Sequence, residues 1–264
     1  MGSARNTELL ERAVREDPRD GELAGYLAIE LARAGDRARA EEVARAAFEP
    51  FLAAIDALPP RALRPSPVQL AHVLATCQLA RGDAPAALAT LDAASARCLE
   101  PHPNLRFLAG AAHERLGDLD AAARAYRECL ALDGRRFTIP VGPDFTSAAP
   151  RTRLASLALA RGSAREALDL LEGAAPSASG LATAARLLRA EARLVLREAP
   201  AALRELAPLL AGNDASALPP DLFALAAWAA AASGADEPSF LEAARRAAPE
   251  RWLEPRRRSL LRTS

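Results

Sequence analysis

The chain has 264 residues, half of them hydrophobic but only 4% aromatic, with 34 basic and 34 acidic side chains and no formal net charge. A balanced charge excludes a global field that would draw the chain onto nucleic acid or an anionic membrane. Ala and Leu dominate the apolar half, which suits close-packed helices and argues against a sheet, where β-branched and aromatic residues are favoured.

The first element in chain order is a helix over Thr7–Glu16, capped by Asn6, with Leu9, Leu10, Ala13 and Val14 on one apolar face. Asp17-Pro18 stops it. A second helix spans Asp20 to Ala34 and ends at Gly35; Asp36 opens a third that continues towards Leu58, before a proline-rich loop at 59–67. Helix pairs follow at Val68–Arg81 with Ala84–Cys98, and at Asn104–Leu116 with Leu119–Leu132. An irregular stretch, Asp133–Pro150, carries Phe137, Ile139, Val141 and Phe145, so part of it is expected to pack down. Beyond it come Arg151–Ala160 with Ala164–Glu172, Leu181–Arg197 with Pro200–Leu210, and Asp221–Ser233 with Glu237–Ala247. A last amphipathic stretch, Arg251 to Leu261, is read as a cap.

Four junctions are alike. Gly35, Gly82, Gly117 and Gly162 each end a helix, and each is followed five residues later by Ala40, Ala87, Ala122 or Ala167. Their separations of 47, 35 and 45 residues are those of a helical solenoid. The expected fold is therefore all-α, with about six antiparallel helix pairs in a single domain over 1–264. Within it, 6–58 is a half repeat plus the first pair, 68–132 the second and third pairs and 133–150 an insert. Residues 151–248 hold the fourth to sixth pairs, and 249–264 a cap and tail.

These residues resemble tetratricopeptide repeats. The third pair fits best, with Gly110, Gly117, Ala122 and Tyr126 at matching spacings; the others offer Leu27, Ala28 and Ala40, Leu74, Ala75 and Ala87, and Leu154, Ala155 and Ala167. Crossing helices need small residues where their backbones approach. The fit weakens in the fifth pair, where Arg197 stands in place of the glycine, and in the sixth, where it is shifted to Gly234. Ala13 and Pro18 match the close of a repeat, so Thr7–Glu16 reads as a second helix without its first, as in a chain that begins inside a longer array. Residues 5–170 also resemble the repeat tail of bacterial family 2 glycosyltransferases, without the catalytic domain: no β-α alternation and no Asp-x-Asp after a predicted strand is present.

The tetratricopeptide resemblance implies a right-handed α-solenoid whose first helices line a concave groove. By matched spacing the groove-binding residues are His72, Thr76, Asn104, Phe107, Glu114, Arg115, Thr152, Arg153, Ser156 and Glu191. The mixture of charge, hydroxyl and one aromatic suits a peptide. Co-chaperone repeats that grip a C-terminal carboxylate use Lys and Asn at fixed places; here those places hold Gly25 and Ile29, so that clamp is not expected. The implied role is a non-catalytic scaffold for a protein or peptide ligand, with no nucleic acid or membrane partner. Two other roles stay open: an acceptor-positioning tail of a glycosyltransferase, and a structural module that self-associates as a homo-oligomer.

No chemistry competes strongly with this role. His72, His102 and His113 are the only histidines and share no metal-ligand spacing; Cys77, Cys98 and Cys129 form neither an even framework nor a metal motif. No Gly-x-Ser-x-Gly, P-loop or dinucleotide fingerprint is present, so no cofactor or metal is expected. All 34 basic residues are Arg. Arg-rich recognition and the coding bias of a GC-rich genome are alternative sources, and the accompanying excess of Ala, Gly and Pro favours the second. Gly142-Pro-Asp144 reads as a turn, Arg135-Arg136 and Arg256–Arg258 as solvated ends. The charged first 20 residues hold no secretory leader, and the cysteines suit a reducing, cytoplasmic compartment.

Overall fold

A computed structural model describes residues 2–59, 62, 65–142, 144–172, 179–210 and 229. The described residues form eleven helices and no strand. They are α1 (Gly2–Glu16), α2 (Gly21–Arg33), α3 (Arg37–Asp56), α4 (Val68–Ala80), α5 (Ala84–Ser95), α6 (Pro103–Leu116), α7 (Leu119–Ala131), α8 (Ala148–Ala160), α9 (Ala164–Glu172), α10 (Ser179–Val195) and α11 (Ala199–Leu210). Apart from Ala229, the expected sixth pair and the C-terminal cap lie outside the described residues. Two compact units divide the chain, 1–146 and 147–264.

In the first unit α2 pairs with α3, α4 with α5 and α6 with α7, while α1 packs on α2. Each second helix also meets the next first helix, α3 against α4 and α5 against α6, and successive first helices touch. The second unit repeats this logic with α8 and α9, then α10 and α11. This is an α-solenoid pattern, in which each hairpin buries its apolar face on its neighbour.

Sequence accounts for the ends of these helices. Asp20, Asp36, Asp83 and Asp118 are N-caps; their side-chain oxygens accept from the backbone N–H groups of Leu23, Arg39, Ala86 and Ala121 at 3.0 to 3.2 Å. Asn6 is not a cap: α1 begins at Gly2, so Asn6 sits inside it. The fourth pair starts earlier than expected, at Ala148, because Pro150 fits the first turn, where a missing N–H costs nothing.

Five turns between paired helices share one geometry. The N–H groups of Gly35, Gly82, Gly117, Gly162 and Arg197 donate three residues back, and those of Asp36, Asp83, Asp118, Ser163 and Glu198 five residues back. This is the Schellman pattern, which needs a left-handed residue at the turn. The glycines have φ between +78° and +87°, and Arg197 takes +64° in the same role. The fifth hairpin thus keeps the turn of the others without the glycine.

A second regularity lies in the core. Ala28, Ala75, Ala155 and Ala190 in first helices are fully buried, and Gly110 holds the equivalent place. Twelve residues after each stands Ala40, Ala87, Ala122, Ala167 or Ala202, also fully buried. Four residues further on come Ala44, Leu91, Tyr126, Leu171 and Leu206, none more than 1% exposed. At Gly110 a Cβ would lie 2.6 Å from the Tyr126 ring, so the ring is accommodated only because the facing helix has no side chain there. The surface of the fifth hairpin carries a charge cluster, in which Arg189 of α10 donates to Glu205 of α11 at 3.0 Å and Arg193 lies 3.8 Å from the same carboxylate.

Two substitutions probe these rules. Arg197 is exposed, so Arg197→Gly removes a left-handed backbone penalty with little loss of packing, and should stabilise the chain by about 1 kcal/mol in a denaturant melt. Gly110→Ala gains about 1 kcal/mol of helix propensity but forces an atom into a fully buried ring. Overpacking of that kind costs about 1–3 kcal/mol, so a net loss of stability is expected.

Candidate functional site

The first unit holds the clearest site, on the face of α6 that receives the segment following α7. His102 is the N-cap of α6: its Nδ1 accepts from the Asn104 N–H at 3.2 Å. That bond assigns the remaining ring proton to Nε2, which donates to the Ile139 carbonyl at 3.2 Å. Asn104, on the first turn of α6, uses both ends of its amide on backbone. Its Nδ2 donates to the Pro140 carbonyl at 3.0 Å, and its Oδ1 accepts from the Gly142 N–H at 2.8 Å. One turn along, Phe107 stacks on Phe145 with centroids 4.3 Å apart and rings tilted by 16°, while Tyr126 supports it from α7 at 5.4 Å. Phe137 meets His102 edge-on at 5.1 Å, and Ile139 packs against the core of the unit.

His72 on α4 and Phe107 on α6 hold the same place, three residues before the small residue of their helices. Both face the segment, His72 at 6.3 Å from the Phe145 ring. The His72 Nδ1 is shielded from solvent and has no hydrogen-bond partner. Burial, with a smaller contribution from His102, pushes its pKa down to about 4. His102 is also lowered, chiefly by burial, against the opposing pull of the Ile139 carbonyl. Both rings are therefore neutral near pH 7.

A cleft of about 350 Å³ lies beside His72, between the start of α3 and the end of α4. It is lined by Ala32, Ala38, Val73 and Ala80 together with the polar Arg37, Glu41, Thr76 and Arg81. Glu41 pairs with both Arg45 and Arg81. Cys77 also lines the cleft, and burial raises its pKa, as it does for Cys98, to about 11, and Cys129, to about 12. These are protonated thiols, without the thiolate character of a nucleophile. Among the described residues no group of His, Cys, Asp or Glu is placed to hold a metal ion, and no helix is long and apolar enough to cross a membrane.

No protein-family model matches the sequence, and no curated protein matches it. Solved structures do. The chain is similar to a chain of the APC/C hetero-tetramer Cut9-Hcn1, with a TM-score of 0.63 and 15% identity; the match covers 99% of this chain and 46% of that one. The present chain therefore spans less than half the length of that neighbour. It is also similar to a tetratricopeptide repeat protein from Parabacteroides merdae, with a TM-score of 0.56 and 15% identity over 97% of this chain and 90% of that one. The chain has a tetratricopeptide-repeat fold.

On that tetratricopeptide-repeat frame the expected groove residues fall in different surroundings. Asn104 is buried and Phe107 and His72 are half-buried, all three beneath or beside the 137–145 segment. Thr76 is exposed, with its hydroxyl donating to the His72 carbonyl at 2.7 Å. Glu114 is half-buried and Arg115 exposed near the end of α6. In the second unit Thr152 is buried and donates to the Ala148 carbonyl of its own helix, Ser156 is half-buried, Arg153 is exposed and Glu191 is buried on α10. Sequence spacing had not marked His102, Gly142 or Phe145 as members of the α6 site. The usable signal was the run of apolar residues inside an otherwise irregular stretch.

The depressed histidines give a pH dependence of definite sign. The unfolded His72 takes up a proton near its ordinary value of 6.5, whereas the folded one does so only near 4. Its contribution is thus fully present above 6.5 and is lost as pH falls towards 4, by as much as about 3 kcal/mol. Urea melts between pH 7 and pH 4.5 should show falling stability, with a shallower slope in His72→Gln.

Proposed function

We propose that the chain is a non-catalytic scaffold that binds a protein segment along the first helices of its hairpins. The observation that carries this proposal is the α6 face. His102 and Asn104 hold polypeptide backbone, and Phe107 holds an aromatic side chain. Backbone carbonyls and N–H groups are common to all extended peptides, so such a face is chemically equipped for a protein ligand. The Cut9-Hcn1 neighbour comes from a hetero-tetrameric assembly, which is in keeping with a scaffold role for this fold.

In this proposal His72, Thr76, Asn104, Phe107, Glu114 and Arg115 serve the first unit, and Thr152, Arg153, Ser156 and Glu191 the second. Arg115 supplies an exposed guanidinium for a charged hydrogen bond, and Phe107 the apolar anchor. A second role, as the acceptor-positioning tail of a glycosyltransferase, is favoured by the irregular segment between α7 and α8, where the sequence resemblance to such tails has its own insert. That role requires the captured partner to carry a nucleotide-sugar-binding domain.

Affinity capture from the native cell separates these possibilities. Arg115→Glu and Phe107→Ala, each verified as helical by circular dichroism, should reduce recovery of the partner at least tenfold. Full recovery with both variants would remove the groove from the proposal.

A further inference from the structure

The segment after α7 is held by side chains that the scaffold proposal assigns to a partner, and this juxtaposition points to the ligand's chemistry. We propose that the α6 face built from His102, Asn104 and Phe107 is a binding site for a bent polypeptide segment with an aromatic anchor, and that the stretch from Phe137 to Phe145 is its exchangeable resident. This rests on the groove reading above and specifies what the groove recognises.

The chemistry of the site separates affinity from specificity. Three polar contacts go to backbone: the carbonyls of Ile139 and Pro140 and the N–H of Gly142. Two successive carbonyls face α6 because the segment bends at Thr138 and Ile139, and backbone supplies these groups whatever its side chains. Selectivity comes from what flanks them. The Phe145 ring lies flat on Phe107, three residues after Gly142. A Cβ at Gly142 would lie 2.7 Å from that same ring, so a small residue is required there. The ligand class is therefore a turn-forming segment with a small residue three positions before an aromatic one.

The resident is built to leave. Residues 135–142 belong to no helix or strand, and a turn at 142–145 is closed by the Phe145 N–H donating to the Gly142 carbonyl. Segments outside regular secondary structure occupy the low-stability end of a fold. Asp144 sits at φ +61°, in the left-handed region that non-glycine residues enter at a cost. Asn104, by contrast, is buried on the rigid first turn of α6, and either of its amide ends left bare would need another polar partner. The face thus stays formed when the segment departs, and a competing backbone restores what is lost.

The test uses a labelled peptide with the sequence of residues 135–146, added to the full chain. Its targets are the wild-type chain and a variant with residues 136–145 replaced by a Gly-Ser linker of equal length. In cis the segment has an effective concentration on the order of millimolar, so the wild-type chain should bind the peptide at least tenfold more weakly than the linker variant. Adding Asn104→Ala to the linker variant should abolish binding. A helical linker variant that fails to bind, equal binding to both chains, or binding that survives Asn104→Ala would overturn the proposal. Should the linker variant not fold, Gly142→Val in the intact chain replaces it. Crowding against Phe145 should loosen the resident and raise peptide affinity at least tenfold, and no rise overturns the proposal. Failure here with partner capture still sensitive to Arg115→Glu would leave the scaffold role standing. Peptide binding with capture unaffected would remove the scaffold role instead.

Discussion

Two backbones that approach at a pair of small residues, twelve positions apart, set the geometry of every described hairpin. The first member is Ala28, Ala75, Gly110, Ala155 or Ala190, the second Ala40, Ala87, Ala122, Ala167 or Ala202, and all are buried. Close approach leaves no room for error, since protein interiors are packed at crystal-like density. It also fixes what stands beside the crossing. Where the next residue is Leu91, Leu171 or Leu206, the first helix can carry an alanine methyl. Where it is Tyr126, that methyl is gone and Gly110 replaces it. Volume is exchanged across the interface, and the crossing is conserved within the chain while its individual residues vary.

The same constraint explains Arg197. A turn in the left-handed region normally calls for glycine, and four of the five turns have it. At the fifth, Ala190, Ala202 and Leu206 are still fully buried in one apolar cluster. Packing on both sides of the turn dictates its backbone, and a cost of about 1–2 kcal/mol at one residue is too small to oppose it. Tertiary contact overrides local preference here, which is why the weakened sequence pattern of the fifth pair is matched by an unweakened hairpin.

What was legible in the sequence follows from this division between local and distant causes. The Asp36 cap and the glycines that end the helices were readable because each bond they make stays within a few residues. The all-α solenoid was readable because its period repeats. The placement of the irregular segment was not, because it depends on bonds from Asn104 and His102 to residues 36 to 38 positions away. His102, flanked by prolines, carried no local sign of its bonds; its role as a cap needs Asn104 N–H, and its second role needs the Ile139 carbonyl. Asn104 and Phe107 were marked by spacing within the repeat, yet spacing could not show that the chain itself covers them.

The double duty of His102 gives the α6 face a direction. Because Nδ1 is committed to accepting the Asn104 N–H at the cap, the neutral ring must carry its proton on Nε2 and can only donate there. Asn104 then adds a donor at Nδ2 and an acceptor at Oδ1. The face thus presents donor, donor and acceptor in sequence, matched to two successive carbonyls and an N–H further along, with the Phe107 ring beyond them. A chain laid in the opposite sense would bring its aromatic residue to the His102 end and its N–H towards a ring that cannot accept. Polarity is therefore imposed by helix capping: the bond that starts α6 also sets the direction in which the segment after α7 lies across it.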